Sequence, residues 1–517
     1  MSIVTLAHWK EWALTYKWLP YIERHELKEG GKPLSWEKVW AQAGEEAVIL
    51  ESGKDGRYTY AAVKARMTIR GKGDTAESCH TDPVSGRTVV RKHHTKPLEA
   101  VKTWMAPYRT PKVEGAPKFI GGCIGYWSYD IIRSIEKLPL QAKDDLPFPD
   151  YFFMMVEELW ILDEKEQALY CAVHQQSSEE ESLEQSFSKA AQRASDMKKR
   201  WDEWTAVDPA LEQSTQAKRD LLSRTGLGID VEQVDGVTTV FTKERFMQAV
   251  LQIQEYISQG DVFQVNLSVR QSRPLITPPE EIYEWLRLFN PSPYMGLLRF
   301  DGMHLVSASP ELLVETDGET VSTRPIAGTR RRGRTEQEDA VMAEELRSSE
   351  KERAEHIMLV DLERNDLGRI SEYGSVQVED LMVIEYYSHV MHLVSEIKGR
   401  LADGKDAYDV IAASFPGGTI TGAPKIRTME IIEELEPTRR GPYTGSIGWI
   451  DYNGNMEFNI TIRTLAVAGG MGHIQAGAGI VIDSDPEREY YESLSKAKAL
   501  WKAIQYSELY RKQSHHY

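Results

Sequence analysis

Hydrophobic and polar residues alternate along "DVFQVNLSVR". Phe263, Val265, Leu267 and Val269 fall on one side, and Gln264, Asn266, Ser268 and Arg270 on the other. Period two predicts a strand with one apolar and one polar face. The pattern leaves open whether the two amides meet water or line a pocket. The same period in "FNITIRTLAV" puts Asn459, Thr461 and Arg463 on one face, and in "HIQAGAGIVIDS" it puts Gly477 and Gly479 on one face. A spacing of three and four joins Leu183, Phe187, Ala190, Ala194, Met197, Trp201 and Trp204, predicting an amphipathic helix behind a Ser/Glu start. "TTVFTKERFMQAVLQIQEYISQG" reads as a second helix, closed by Gly260. From the start to about Val173, short β-rich runs between turn residues predict a sheet-rich half. From about Thr205 to Gly236 the period fades among Pro, Gly and mixed charge, which reads as a linker. Two regions follow: 1–236, sheet-rich with a helix and linker, and 237–517, dense in Gly-rich turns and polar-faced strands, where chemistry is expected.

Composition narrows the partners. The chain has 517 residues and a formal net charge of -17 without a long basic cluster, which argues against nucleic acid. Three widely spaced cysteines, Cys79, Cys123 and Cys171, without a CxxC, argue against a disulfide framework or a zinc site and fit a reducing cytoplasm. No apolar run is long enough for a signal peptide or a membrane span, so a cytoplasmic protein is expected.

Two helical stretches carry paired carboxylates. In "SSEKERAEHIMLVDLERNDLGR", Glu352 and Glu355 are three apart and share a face; in "DSDPEREYYESLSKAKALWKAI", Glu489 and Glu492 do the same, with Lys496 four beyond Glu492. They are either solvated faces or, if the helices meet, an oxygen-only site suited to Mg²⁺. "FPGGTITGAPKIRTMEIIEEL" leads through Thr419 and Thr421 into a helix opening at Pro424, either a plain capped turn or an anion-binding start. Arg463 suits a bidentate grip on a carboxylate. Gly477 and Gly479 mark a bulge or a close backbone approach. Glu311 in "SASPELL" is a candidate acid, and "SHVMHLV" offers His389 and His392.

Together these segments resemble the chorismate-utilising enzymes, and among them the large aminating subunits. "DVFQVNLS", "NPSPYM", "SPELL", "RPIAGTRRRG", "EKERAEHIMLVDLERNDLGR", "SHVMH", "GGTITGAPK" and "IQAGAGIVIDS" occur in the family's order. The resemblance implies an interlocked α+β fold of two large packed antiparallel sheets flanked by helices. It also implies Glu355 and Glu492 as Mg²⁺ ligands, with Glu352 and Glu489 as their outer partners. By the same resemblance Thr419, Tyr443, Arg463, Gly477, Gly479 and Lys496 hold chorismate, Glu311 is the acid beside the departing 4-hydroxyl, and Thr329 and His392 belong to the active site. Ser52, ending "AVILES", resembles the tryptophan effector site of this family.

The position of Gln264 is a lysine base in members that add water and a glutamine in members that add ammonia. Ammonia needs no base to make it a nucleophile, so Gln264 implies amination. Asn266 resembles the branch that forms 4-amino-4-deoxychorismate. Ala327 instead matches the branch that forms anthranilate and pyruvate, because many members of the first branch carry a lysine there. No glutaminase nucleophile elbow is present, so a separate glutamine amidotransferase subunit is the expected ammonia source. A catalytically silent regulatory homologue is the rival, and the presence of all four glutamates, Arg463 and Lys496 speaks against it.

Overall fold

The computed structural model describes residues 1–27, 31–53, 56–81, 87–177, 181–226, 228–386 and 390–514. Their strands form two sheets of twelve, every pair antiparallel. In the first sheet, Ala47–Glu51 lies between Tyr58–Ala62 and Tyr294–Phe300. Beyond Tyr294–Phe300 come Met303–Ser309, Thr464–Ala468, Met471–Ile480 and Gln264–Pro274. In the second sheet, Gly122–Trp127 pairs with Tyr151–Val156 on one side and Ser446–Asp451 on the other, then Met456–Ile460 and Leu312–Thr316 continue the order. Both sheets therefore mix strands from residues 1–236 and 237–517. This is the interlocked α+β arrangement that the resemblance implies.

Alternation sorts the layers. On Gly122–Trp127, Ile124 and Tyr126 pack with the first sheet, while Cys123 and Trp127 pack on the other face against helices that include Ala407–Ser414. Such two-sided burial makes that strand apolar throughout. Cys123 and Cys171 are buried free thiols, and Cys79 is a partly exposed one. No helix is long and apolar enough to cross a membrane among the described residues.

The predicted amphipathic helix is Leu183–Thr205, with Ser182 and Gln185 closing a reciprocal capping box and Ala190, Ala194, Met197, Trp201 and Trp204 buried. The linker expectation fails over Pro209–Thr225, which is a helix. Asp208 caps it by accepting from the Ala210 and Leu211 amides, and Pro209 occupies its first turn. Its period is hard to see because its buried positions include Thr215 and Lys218 rather than apolar residues. Phe263 also departs from the alternating pattern. It precedes the strand and is 70% exposed, unlike Val265, Leu267 and Val269.

Candidate active site

The polar face of Gln264–Pro274 points into the protein. Gln264 and Asn266 are 6% and 8% exposed, so their amides line an interior site rather than meeting water. Gln264 Nε2 donates to Glu355 Oε1 at 3.1 Å, whereas Gln264 Oε1 and Asn266 Oδ1 are buried without a partner. Buried polar atoms are normally satisfied, so two amide oxygens left open mark a place for a ligand or water.

The register explains the two glycines. Asn266 pairs with Gly479 and Ser268 with Gly477, without a break in the ladder, so there is no bulge. A Cβ on Gly479 would lie 2.1 Å from Gln264 Nε2, and one on Gly477 2.5 Å from Leu267 O. The missing side chains make room for Gln264 and for the neighbouring strand. Behind this strand, Arg440 donates to Asn266 O, Ile420 O and both Glu436 oxygens, while Ser268 N and Oγ also donate to Glu436. This fully buried pair anchors the site from behind. Sequence reasoning passed over it because nothing in "EELEPTRRGPY" separates a buried Arg from a surface one.

Arg463 does not continue the strand of Asn459. The strand Met456–Ile460 stops short of it, and Arg463 has φ 52°, in the left-handed region, before Thr464–Ala468 begins. The turn redirects its guanidinium, whose Nη1 donates to Lys496 O at 2.8 Å. Lys496 Nζ in turn donates to Gly477 O and pairs with Glu492 at 3.0 Å. These contacts bring the helix Pro486–Ser514 against the glycine strand.

Glu311 lies just before Leu312–Thr316, is 6% exposed, and has one buried oxygen, Oε1, without a partner. Burial pushes its carboxyl up to about 7, partly offset by the Thr419 hydroxyl and by the charges of Arg463 and Lys496. Thr419 Oγ1 exerts that influence without a hydrogen bond of ordinary geometry. Tyr443 lies over the Arg440 guanidinium, 5.5 Å from its centre, with its hydroxyl pushed up by burial. Ala327 is buried, and the Thr329 hydroxyl and Gly328 O both approach His392 Nδ1, at 3.0 and 3.2 Å. Burial pulls the His392 ring below its usual range. His389 lies outside the described residues.

The four glutamates are arranged unevenly. Glu352 pairs with Arg330 at 3.1 Å and Glu492 with Lys496. Glu355 and Glu489 are pushed up, mainly by burial and also by the neighbouring charges of Glu352 and Glu492 respectively. Lys351 acts on both, so the two helices converge. No three His, Cys, Asp or Glu side chains stand close enough to hold an ion among the described residues. The donor chemistry still fits a hard cation: partly buried carboxylates beside like charges are what a divalent ion relieves.

Ser52 lines a cavity of about 600 Å³ with Tyr60, Tyr294, Met295 and Trp449 that also reaches Pro310 and Leu312 on either side of Glu311, and its Oγ is buried without a partner.

A buried acid, an uncharged amide, an Arg–Lys contact and carboxylates on two helices are thus gathered against two mixed antiparallel sheets. The chain belongs to the chorismate binding enzyme family, whose model matches residues 45–502. It is 46% identical over 468 residues to aminodeoxychorismate synthase component 1 of Bacillus subtilis (strain 168), covering 90% of this chain and 93% of that one. It is 42% identical to anthranilate synthase component 1 of Thermus thermophilus, covering 89% and 91%. The crystal structure of anthranilate synthase component I from Streptococcus pneumoniae superposes with a TM-score of 0.70 at 32% identity, covering 86% and 92%. The protein is therefore a chorismate-utilising enzyme.

Proposed function

We propose that the protein replaces the 4-hydroxyl of chorismate by ammonia, giving 4-amino-4-deoxychorismate for p-aminobenzoate and folate synthesis. The observation that carries this reading is the buried Gln264 amide held against Glu355. A neutral amide cannot take a proton from water, so the site is set for a nucleophile that needs no activation. Glu311, whose carboxyl burial pushes up to about 7 so that part of the population keeps its proton at neutral pH, gives that proton to the departing hydroxyl. Arg463 and Lys496 hold the carboxylates of chorismate together with Thr419, Tyr443 and the backbone at Gly477 and Gly479. Mg²⁺, held by Glu355 and Glu492 with Glu352 and Glu489 behind them, would neutralise substrate charge and polarise the ring. A glutamine amidotransferase subunit supplies the ammonia, in keeping with the component numbering of the relatives. The Ser52 cavity takes a tryptophan-like effector.

Ala327 favours a second reading, anthranilate and pyruvate, because it offers no lysine to attack the ring at C2. The test incubates the protein with chorismate, Mg²⁺ and ammonium at alkaline pH, with and without aminodeoxychorismate lyase. Lyase-dependent p-aminobenzoate supports the first reading. Fluorescent anthranilate without lyase overturns it in favour of the second.

A further inference from the structure

Next to Arg440 and Tyr443, Gln475 and Thr461 line a small cavity of about 20 Å³ that the proposed chemistry leaves unused. Gln475 is 6% exposed and Thr461 1%, yet Gln475 Oε1 and Thr461 Oγ1 are buried without a partner. The Gln475 amide cannot turn round to repair this. Its Nε2 is 2.8 Å from Ser268 Oγ, whose single proton goes to Glu436 at 2.7 Å. The Glu436 carboxylate, gripped by Arg440, can only accept, so Ser268 accepts from Gln475 and leaves Oε1 facing away. Arg440 has no donor to spare either. Its five N–H groups go to the two Glu436 oxygens, Ile420 O, Thr444 Oγ1 and Asn266 O.

The same two residues stand at the open ends of a chain of contacts around Arg463. Arg463 Nη1 donates to Lys496 O at 2.8 Å, and Lys496 Nζ donates to Gly477 O at 2.9 Å. Gly477 is two residues from Gln475, and Arg463 is two from Thr461. One link is missing from this ring, the step from Gln475 Oε1 to Thr461 Oγ1. About 10–15 Å³ of space for its centre admits one water, so the cavity takes one and little more. Polar walls hold such a molecule where apolar ones stay dry. Water also has the right chemistry: it donates to Gln475 Oε1, which can only accept, and exchanges a hydrogen bond with the Thr461 hydroxyl.

We propose that one buried water bridges Gln475 Oε1 and Thr461 Oγ1, closing the ring and holding the Arg463 turn against the glycine strand. Its role rests on the reading of Arg463 as a holder of the chorismate carboxylates. Arg463 has φ 52°, a conformation that costs energy at a residue with a side chain and persists only where the surroundings fix it. The Lys496 carbonyl fixes the guanidinium end, and the water fixes the backbone end through Thr461. Gln475 and Thr461 are therefore positioning residues that act through Arg463.

The test has two readouts. A crystal structure of the full chain, at a resolution that shows ordered waters, is expected to place a density peak within hydrogen-bond distance of both atoms. An empty cavity, or a direct hydrogen bond between Thr461 and Gln475, overturns the site. Calorimetry then measures chorismate binding in the presence of Mg²⁺. Gln475→Met and Thr461→Val are expected to weaken it about fivefold, the scale of one lost hydrogen bond. Thr461→Ser keeps the hydroxyl and is expected to bind within about twofold of wild type. Unchanged binding with a lower melting temperature in the first two variants, or an equal loss in Thr461→Ser, overturns the positioning role. Undiminished chorismate binding by Arg463→Gln overturns the reading of Arg463 and the positioning role with it, and the density still decides the water.

Discussion

At the residue scale the site turns on two uncharged or neutralised groups. Gln264→Lys brings a base to the place where the amide meets Glu355. Amination is expected to fall by about tenfold or more while a water-addition product appears, since a positioned base contributes about 10²–10⁴-fold to activating water. Product analysis by chromatography checks this, and undiminished amination without hydration refutes the role of Gln264. Glu311, with its carboxyl near 7 rather than the ordinary 4.5, gives a signed pH dependence. The acid form is the working one, so the rate per free ammonia falls as pH rises through about 7. The same shift means the folded state holds this proton more tightly than the unfolded chain. The associated stability is therefore present below the unfolded value and lost as pH rises towards about 7. Glu311→Gln abolishes the pH limb and lowers kcat by about 10²-fold or more. Alternation along "DVFQVNLSVR" exposed Gln264 to sequence reading, and "SASPELL" exposed Glu311.

At the scale of elements, the strand Gln264–Pro274 is fixed by what lies opposite and behind it. Gly479→Ala pushes a methyl group towards the Gln264 amide, so amination drops with little change in thermal stability. Gly477→Ala meets backbone and costs about 1–3 kcal/mol of stability, as overpacking does. Comparing the two in denaturant titrations separates a site effect from a packing effect. Arg440→Met strands the buried Glu436 carboxylate and is expected to cost about 3–5 kcal/mol. Strand and helix types were largely legible because periods of two and about 3.6 leave different marks. Pro209–Thr225 was not, since it covers little apolar surface. The turn that redirects Arg463 was not either, because a positive φ at an arginine leaves no trace in hydrophobic spacing.

At the scale of the molecule, residues 1–236 and 237–517 share both sheets. Expressed apart, neither piece is expected to show a cooperative thermal transition, because each would expose long unpaired edges where its partner strands belong. A clean transition in either fragment would refute that dependence. The split of the sequence into a sheet-rich half and a catalytic half reflects where the chemistry sits. It says little about connectivity, since pairing partners hundreds of residues apart leave no local signal. That pairing also sets a schedule for synthesis. Ala47–Glu51 cannot gain its neighbour Tyr294–Phe300 until about 240 more residues have been made, roughly 10 to 50 s at ordinary rates of translation. Through that interval the nascent chain carries an open, apolar strand edge away from the ribosome, and its yield in a cell should depend on how well chaperones cover it.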